Sequence, residues 1–375
     1  MNNSMEIGPI RPPSEATSVL LRLTRNCPWN QCTFCPTFKE KKFSMRSVEE
    51  VKSDIDTIHL VLKELHKKAD NSGRLTNQDA DNIAIENNID SRHVQQVLYW
   101  AHYGMNSLFL QDADSLTMKT PDVVEILNHI KLKLPMIERI TTYARANTIS
   151  RKSAEELLAL REAGLNRLHI GMESGNDEVL ALIKKGVTSE KQIDGGRKGV
   201  EAGFEVSLYF MPGCGGVGHL EGNALDSARV INAINPAFIR IRSTVPMPGT
   251  PLYQMMQEGL WTPLTERDRV KELRLMIENL NDIQSTLYSD HIMNLLEEVE
   301  GTFPKDKAKM LAVIDRFFAM NETAQDDYIV GRRLGHYRKL SDSRGGAEME
   351  VIKQQLITKH GNLEAAMLAL LTRYI

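Results

Sequence analysis

Residues 25–38 read "RNCPWNQCTFCPTF" and carry Cys27, Cys32 and Cys35, three of the chain's four cysteines, spaced Cys-x4-Cys-x2-Cys. No histidine lies in this stretch, and the fourth cysteine, Cys214, is far along the chain. A structural zinc ion wants a closed tetrahedron of four ligands. An ordinary ferredoxin-type cluster wants four cysteines. Three thiolates suit a [4Fe–4S] cluster that keeps one iron open, and an open position is what separates a reactive metal site from a structural one. Zinc, a four-cysteine cluster completed by Cys214, and a chance grouping of buried thiols are the alternatives. The stretch follows "SVLLRL" (18–23), a strand by its branched and aliphatic content, so it forms the loop after the first strand.

Working outward, helical and strand patterns alternate. Val48, Val51, Ile55, Ile58, Leu62 and Leu65 recur at threes and fours, which predicts a helix over 47–68. A polar stretch, 69–90, precedes a helix at 91–104. Strands are expected at 106–111, 138–144, 167–172, 205–211 and 238–244, with helices at 120–134 and 150–164, two between 176 and 203, and one at 222–234. Thr120 is read as an N-cap with Pro121 at the first helical position. Six strands separated by helices need parallel crossovers, as in a doubly wound sheet or a barrel. From about 265 the chain reads as helical with no further strand. A break at 301–306 suggests a C-terminal helical subdomain, 301–375, after a core of 17–300. Residues 1–16 read as a flexible tail.

The chain has 375 residues, 42% hydrophobic and 25% charged, which places it in the ordinary globular range. A net charge of −3 gives no global signature of a nucleic-acid binder. No apolar run approaches the ~20 residues of a membrane span, and the N-terminus lacks the apolar core of a signal peptide. The expected location is the cytoplasm, where thiols stay reduced and clustered cysteines point to metal or catalysis.

The cysteine loop resembles that of the radical S-adenosylmethionine (SAM) enzymes, which have Cys-x3-Cys-x2-Cys after the first barrel strand; here one extra residue separates the first two cysteines. "GMESGNDEVLALIKKG" (171–186) and "RIRSTVPMPGTPLY" (240–253) resemble the branch that includes oxygen-independent coproporphyrinogen oxidase and the Elongator-type and methylthiotransferase-like proteins. The resemblance covers about 17–255. It implies an α/β fold, a partial (β/α)6 TIM-like barrel, here with a helical C-terminal extension. It also implies a [4Fe–4S] cluster held by Cys27, Cys32 and Cys35, with SAM as cofactor. Phe34, before Cys35, matches the aromatic position near the adenine. Glu173 and Ser174 match the cofactor-contact segment. The Gly-Gly-Glu motif that holds the methionine ammonium after the second strand is absent, and Asp112 of "LQDADS" is the candidate to replace it; capping by Asp114 is the plainer reading. The "VPMPGTPLY" turn resembles the adenine-side loop.

Other residues at strand ends are read from their chemistry. Arg145 suits a cofactor or substrate carboxylate by its fork geometry, or ties a strand end to a helix. Residues 213–218 fit Gly-x-Gly-x-x-Gly, but no acid ends the next strand to hold a ribose. Close backbone approach of Gly213 and Gly215 to the cofactor is the preferred use. Cys214 is a tentative catalytic residue, set against a small apolar filler. Arg240 and Arg242 share one strand face and suit an anionic substrate or the surface. The basic segment "GRRLGHYRK" (331–339) suits a polyanion, or a solvated helix face. Asn176 or Ser174 caps the helix near 177 in the plain reading.

These readings imply an oxygen-sensitive metal-binding oxidoreductase of low-oxygen settings. It cleaves SAM reductively to a 5′-deoxyadenosyl radical, takes electrons from reduced flavodoxin or ferredoxin, and abstracts hydrogen from a small-molecule or peptide substrate. No membrane or nucleic-acid partner is expected. The alternatives are an iron–sulfur electron-transfer or sensor protein, and a zinc-stabilised interaction protein.

Overall fold

The apolar alternation of the strands and the threes-and-fours period of the helices build an α/β chain. The computed structural model describes residues 4–69 and 75–373. Among the described residues ten strands form: β1 (Val19–Arg22), β2 (Thr24–Arg25), β3 (Ser44–Met45), β4 (Ser107–Gln111), β5 (Arg139–Ala144), β6 (Leu165–Glu173), β7 (Glu205–Phe210), β8 (Phe238–Ile241), β9 (Thr286–Tyr288) and β10 (Gly301–Thr302). The chain divides into two compact units. One holds residues 1–28, 40–169 and 201–205; the other holds 29–39, 170–200 and 206–375.

In the first unit the strand order is β1-β4-β5, leading into β6. The pairs are parallel, with Val19 opposite Leu108 and Leu108 opposite Ile140. The helix Val48–Lys68 starts at a capping box in which Ser47 and Glu50 satisfy each other's backbone N–H groups. It packs against Thr120–Lys133, Asn77–Asn87 and Ser91–His102. Asn77–Asn87 lies inside the stretch read as polar. The boxed pair Thr76 and Asp79 starts it, and Asn88, at φ 50°, stops it. Residues 70–74 of that stretch lie outside the described residues. Thr120 is the first helical residue rather than the cap, which is Lys119.

Residues 4–16 are a packed arm, not a flexible tail. Glu6 accepts from Arg22 and Arg25 at 2.9 and 2.7 Å. Gln111 accepts from the Gly8 N–H and donates to the carbonyls of Gly8 and Ile10. Glu15 is fully buried and accepts from Ser18 and Arg139. The first three residues lie outside the described set.

In the second unit the order continues from β6 through β7, β8 and β9 to β10. β7–β8 and β8–β9 are parallel, and β9–β10 is antiparallel. β9 and β10 correct the expectation of no strand after 265; at three and two residues they are too short to show a period. The strands β1, β4, β5, β6, β7 and β8 follow one another in the order of a (β/α)6 partial barrel. Residues 301–375 belong to the same unit as 206–300 rather than to one of their own.

Candidate functional site

The loop after β1 is pinned at every few residues. Asn26 takes φ 70°, and its N–H donates to Asp112 Oδ2 at 2.7 Å. The same oxygen accepts from Arg22 Nε and Nη2, at 2.9 and 2.6 Å. Asp112 is fully buried, and Oδ1 has no hydrogen-bond partner. A side chain on Gly8 would meet that oxygen at 2.3 Å, so the arm backbone covers it. Burial pushes the Asp112 carboxyl up, opposed by the Asn26 N–H and the Arg22 charge. Asp112 therefore anchors the start of the cysteine loop, and its free oxygen is sealed beneath Gly8.

Cys27 belongs to the first unit, and Cys32 and Cys35 belong to the second. All three are half-buried thiols, whereas Cys214 is fully buried. In the second unit the rest of the loop rests on the turn after the helix Asp177–Leu182. Trp29 Nε1 donates to the Lys184 carbonyl at 2.7 Å, and the indole covers Gly186, where a Cβ would lie 2.3 Å from the ring. The Thr33 N–H donates to the Ile183 carbonyl, and the Thr33 carbonyl accepts from the Leu252 N–H. Lys39 Nζ donates to the carbonyls of Asn30 and Cys32, at 3.1 and 2.9 Å. Phe34 packs against Val179, Ile183, Met211 and Cys214. Among the described residues, no three His, Cys, Asp or Glu side chains stand together as a set for a single metal ion.

Glu173 ends β6 at φ 64°, a left-handed conformation that costs a residue with a Cβ about 1–3 kcal/mol. Its carboxylate accepts from Lys185 at 2.8 Å, over Gly171, where a Cβ would meet Glu173 Oε1 at 2.3 Å. Ser174 is buried and its Oγ accepts from the Asn176 N–H, while Asn176 caps the following helix through the Val179 N–H. Arg145 stands at the N-cap position of the helix Ala146–Ser150. Its charge acts on Asp114, a fully buried acid that accepts from Thr148; burial pushes this carboxyl up to about 6. Asp114 Oδ1 has no hydrogen-bond partner.

The glycines after β7 serve the chain's own packing. A Cβ on Gly215 would lie 2.7 Å from His219 and 2.9 Å from Val179, and one on Gly216, at φ 68°, would lie 2.6 Å from the Thr262 carbonyl. The Gly213 N–H donates to Glu272, whose other oxygen accepts from Asn223 at 2.7 Å. The Cys214 thiol lies 3.8 Å from the Glu173 carbonyl and from Asn223 Oδ1. Burial, then the charges of Glu272 and Glu173, push it well above its ordinary range. Cys214 is fully buried in the apolar cluster of Val179, Ile183 and Met211.

Arg240 lies over the Tyr288 ring, 5.1 Å from its centroid, and 3.5 Å from Asp290. Arg242 is exposed. The segment 331–339 is divided: Arg332 and Arg333 are buried, whereas His336, Arg338 and Lys339 are exposed. Arg333 is buried in a two-point pair with Glu266, at 2.7 and 2.8 Å, and Arg332 and Arg338 both pair with Glu297. Sequence reading missed Arg22, Lys185, Arg269 and Glu272. Lys185 was within reach, because it lies in the quoted 171–186 stretch; the others carry no local signal.

Residues 89–221 match the family model of the Radical SAM superfamily. Over this segment, about a third of its length, the chain is similar to the radical SAM superfamily. The match runs from before β4 to beyond β7, and the cysteine loop precedes it. Over 126 residues the chain is 26% identical to a tRNA uridine(34) acetyltransferase of Methanocaldococcus infernus, covering 32% of this chain and 22% of that protein. Over 158 residues it is 25% identical to the heme chaperone HemW of Bacillus subtilis, covering 41% of each. These matches span less than half the length of either relative. Coproporphyrinogen III oxidase (HemN) of Escherichia coli superposes with a TM-score of 0.46 at 13% identity, over 70% of this chain and 52% of that one. Proteins of the radical SAM superfamily are enzymes that use a [4Fe–4S] cluster and SAM. Three thiolates are by their chemistry a donor set suited to such a cluster. No helix among the described residues is long and apolar enough to cross a membrane.

Proposed function

We propose that Cys27, Cys32 and Cys35 hold a [4Fe–4S] cluster with one iron open to SAM, and that the enzyme abstracts hydrogen from a small-molecule or peptide substrate. The observation that carries this reading is the loop itself: three thiols follow β1 on a backbone fixed by Asp112, Lys39 and the 183–186 turn. Together the cluster and SAM supply one-electron cleavage of the sulfonium to a 5′-deoxyadenosyl radical.

The chain's own residues do the holding. Asp112 fixes the loop entry at the Asn26 N–H. Lys39 brings a positive charge to the backbone of Cys32, which offsets the charge of three thiolates. Phe34 seats the loop on an apolar cluster and so fixes the segment leading to Cys35. Glu173, held by Lys185, offers a carboxylate to an ammonium or ribose hydroxyl, as does the free oxygen of buried Asp114 to a donor. Reduced flavodoxin or ferredoxin fits as the electron donor.

Electron paramagnetic resonance of the anaerobically reconstituted, reduced protein tests the open iron. The [4Fe–4S] signal is expected to shift on adding SAM. Cys27→Ala, Cys32→Ala and Cys35→Ala each lose the signal, and Cys214→Ala keeps it. A full signal in any of the three variants, or its loss in Cys214→Ala, contradicts the assignment.

A further inference from the structure

Behind the loop after β7, the second unit encloses a cavity of about 250 Å³ between the starts of two helices, Glu266–Glu278 and Leu363–Leu371. That is below the ~300–1,000 Å³ of pockets for drug-sized ligands, so it suits a small one. Leu264, Leu368 and Leu371 give it apolar walls. Its ionisable lining, among the described residues, is Arg269, Glu266 and Glu364.

Arg269 is the unusual member. It is 6% exposed, and its Nε has no hydrogen-bond partner. Its nearest acid, Glu266, lies 3.6 Å away and is already taken by the two-point pair with Arg333. Glu272 is no full counter-charge either, since burial pushes its carboxyl up to about 8. Glu364 stands exposed at the rim. A buried guanidinium with an unused donor and a shared counter-ion is costly unless something anionic joins it. Both helix starts add partial positive charge.

The cavity also adjoins the carboxyl ends of strands, where ligands of parallel α/β folds bind. A Cβ on Gly213, after β7, would lie 3.4 Å from Arg269 Nε. Leu371 packs with Val245, after β8, and with Met293, while Leu368 and Met247 pack against that group.

We infer that this cavity binds a small organic monoanion, a carboxylate with a short apolar body, through Arg269, as substrate or part of one. The substrate role rests on the proposed function. Carboxylate fits better than a phosphate dianion because, with Glu266 matched by Arg333, Arg269 is, among the described residues, the one cation left to face the ligand and Glu364 stands at the rim.

Binding of hexanoate, hexan-1-ol and inorganic phosphate to the full chain, measured by calorimetry, tests this. Hexanoate binds, and hexan-1-ol and phosphate bind more weakly. Arg269→Gln weakens hexanoate about 10- to 100-fold, the range for losing one hydrogen bond to a charged group. Ala365→Trp, which fills the cavity from its rim and leaves the guanidinium in place, abolishes binding, so the outcome does not depend on the folding of one variant. Equal binding of hexanoate and hexan-1-ol, tighter phosphate binding, or undiminished hexanoate binding in both variants overturns the inference. The assay needs neither cluster nor SAM. Cluster signals without hexanoate binding therefore remove the pocket and leave the proposed function, and the reverse result does the opposite.

Discussion

Glu272 sits behind Gly213 with both carboxylate oxygens accepting, from the Gly213 N–H and from Asn223. Burial pushes the carboxyl from 4.5 to about 8, against those two donors and the Arg269 charge. The folded state therefore binds more protons than the unfolded chain between about pH 4.5 and 8, and stability falls as the pH rises through that window. The slope reaches at most ~1.4 kcal/mol per pH unit from this group. Glu272→Gln removes that slope and puts an amide NH2 against one of two donors, at a cost of about 1–3 kcal/mol. Urea denaturation at pH 5 and pH 8 checks both; an unchanged pH slope in the variant contradicts this role. None of this was legible beforehand, because glutamate in "VKELRL" reads as an ordinary helix residue. Asp112 was legible as a strand-end acid, but its partners Arg22 and Asn26 lie 90 and 86 residues away. No local pattern separates a loop anchor from a cofactor contact.

At the scale of elements, helix and strand periods carried most of the layout. The misses were local signals too short to count or contacts too long to see. The boxed Thr76–Asp79 start was present in "TNQD", yet its polar setting hid the helix Asn77–Asn87. The basic run 331–339 looked like a surface because its acids, Glu266 and Glu297, come from other elements. Those pairs make the helix Glu322–Arg333 a strut. Arg333→Met leaves Glu266 buried without its two-point partner and is expected to cost about 3–5 kcal/mol. Chemical denaturation reads this directly; a loss under 1 kcal/mol would show that Arg269 and Glu266 pair on their own. Adding Glu266→Leu to Arg333→Met is not expected to recover the loss, since it strips buried Arg269 of its nearest acid.

Across the whole molecule, the (β/α)6 strand order and the place of the cysteine loop after β1 were readable from the chain, because parallel crossovers demand the alternation and the loop directly follows the first strand pattern. The packed arm 4–16 was not, since its anchors are Gln111, Arg22 and Arg139. The cavity beside Arg269 was not either, since Arg269 and the helix Leu363–Leu371 meet only after folding. The central claim is that three cysteines turn this fold into a SAM-cleaving radical enzyme, and formation of 5′-deoxyadenosine tests it most directly. Anaerobically reconstituted protein given SAM and a strong reductant is expected to release 5′-deoxyadenosine, and the Cys27→Ala, Cys32→Ala and Cys35→Ala proteins none. A wild-type protein that holds a reducible [4Fe–4S] cluster yet forms no 5′-deoxyadenosine, or a cysteine variant that forms it at the wild-type rate, would contradict the account.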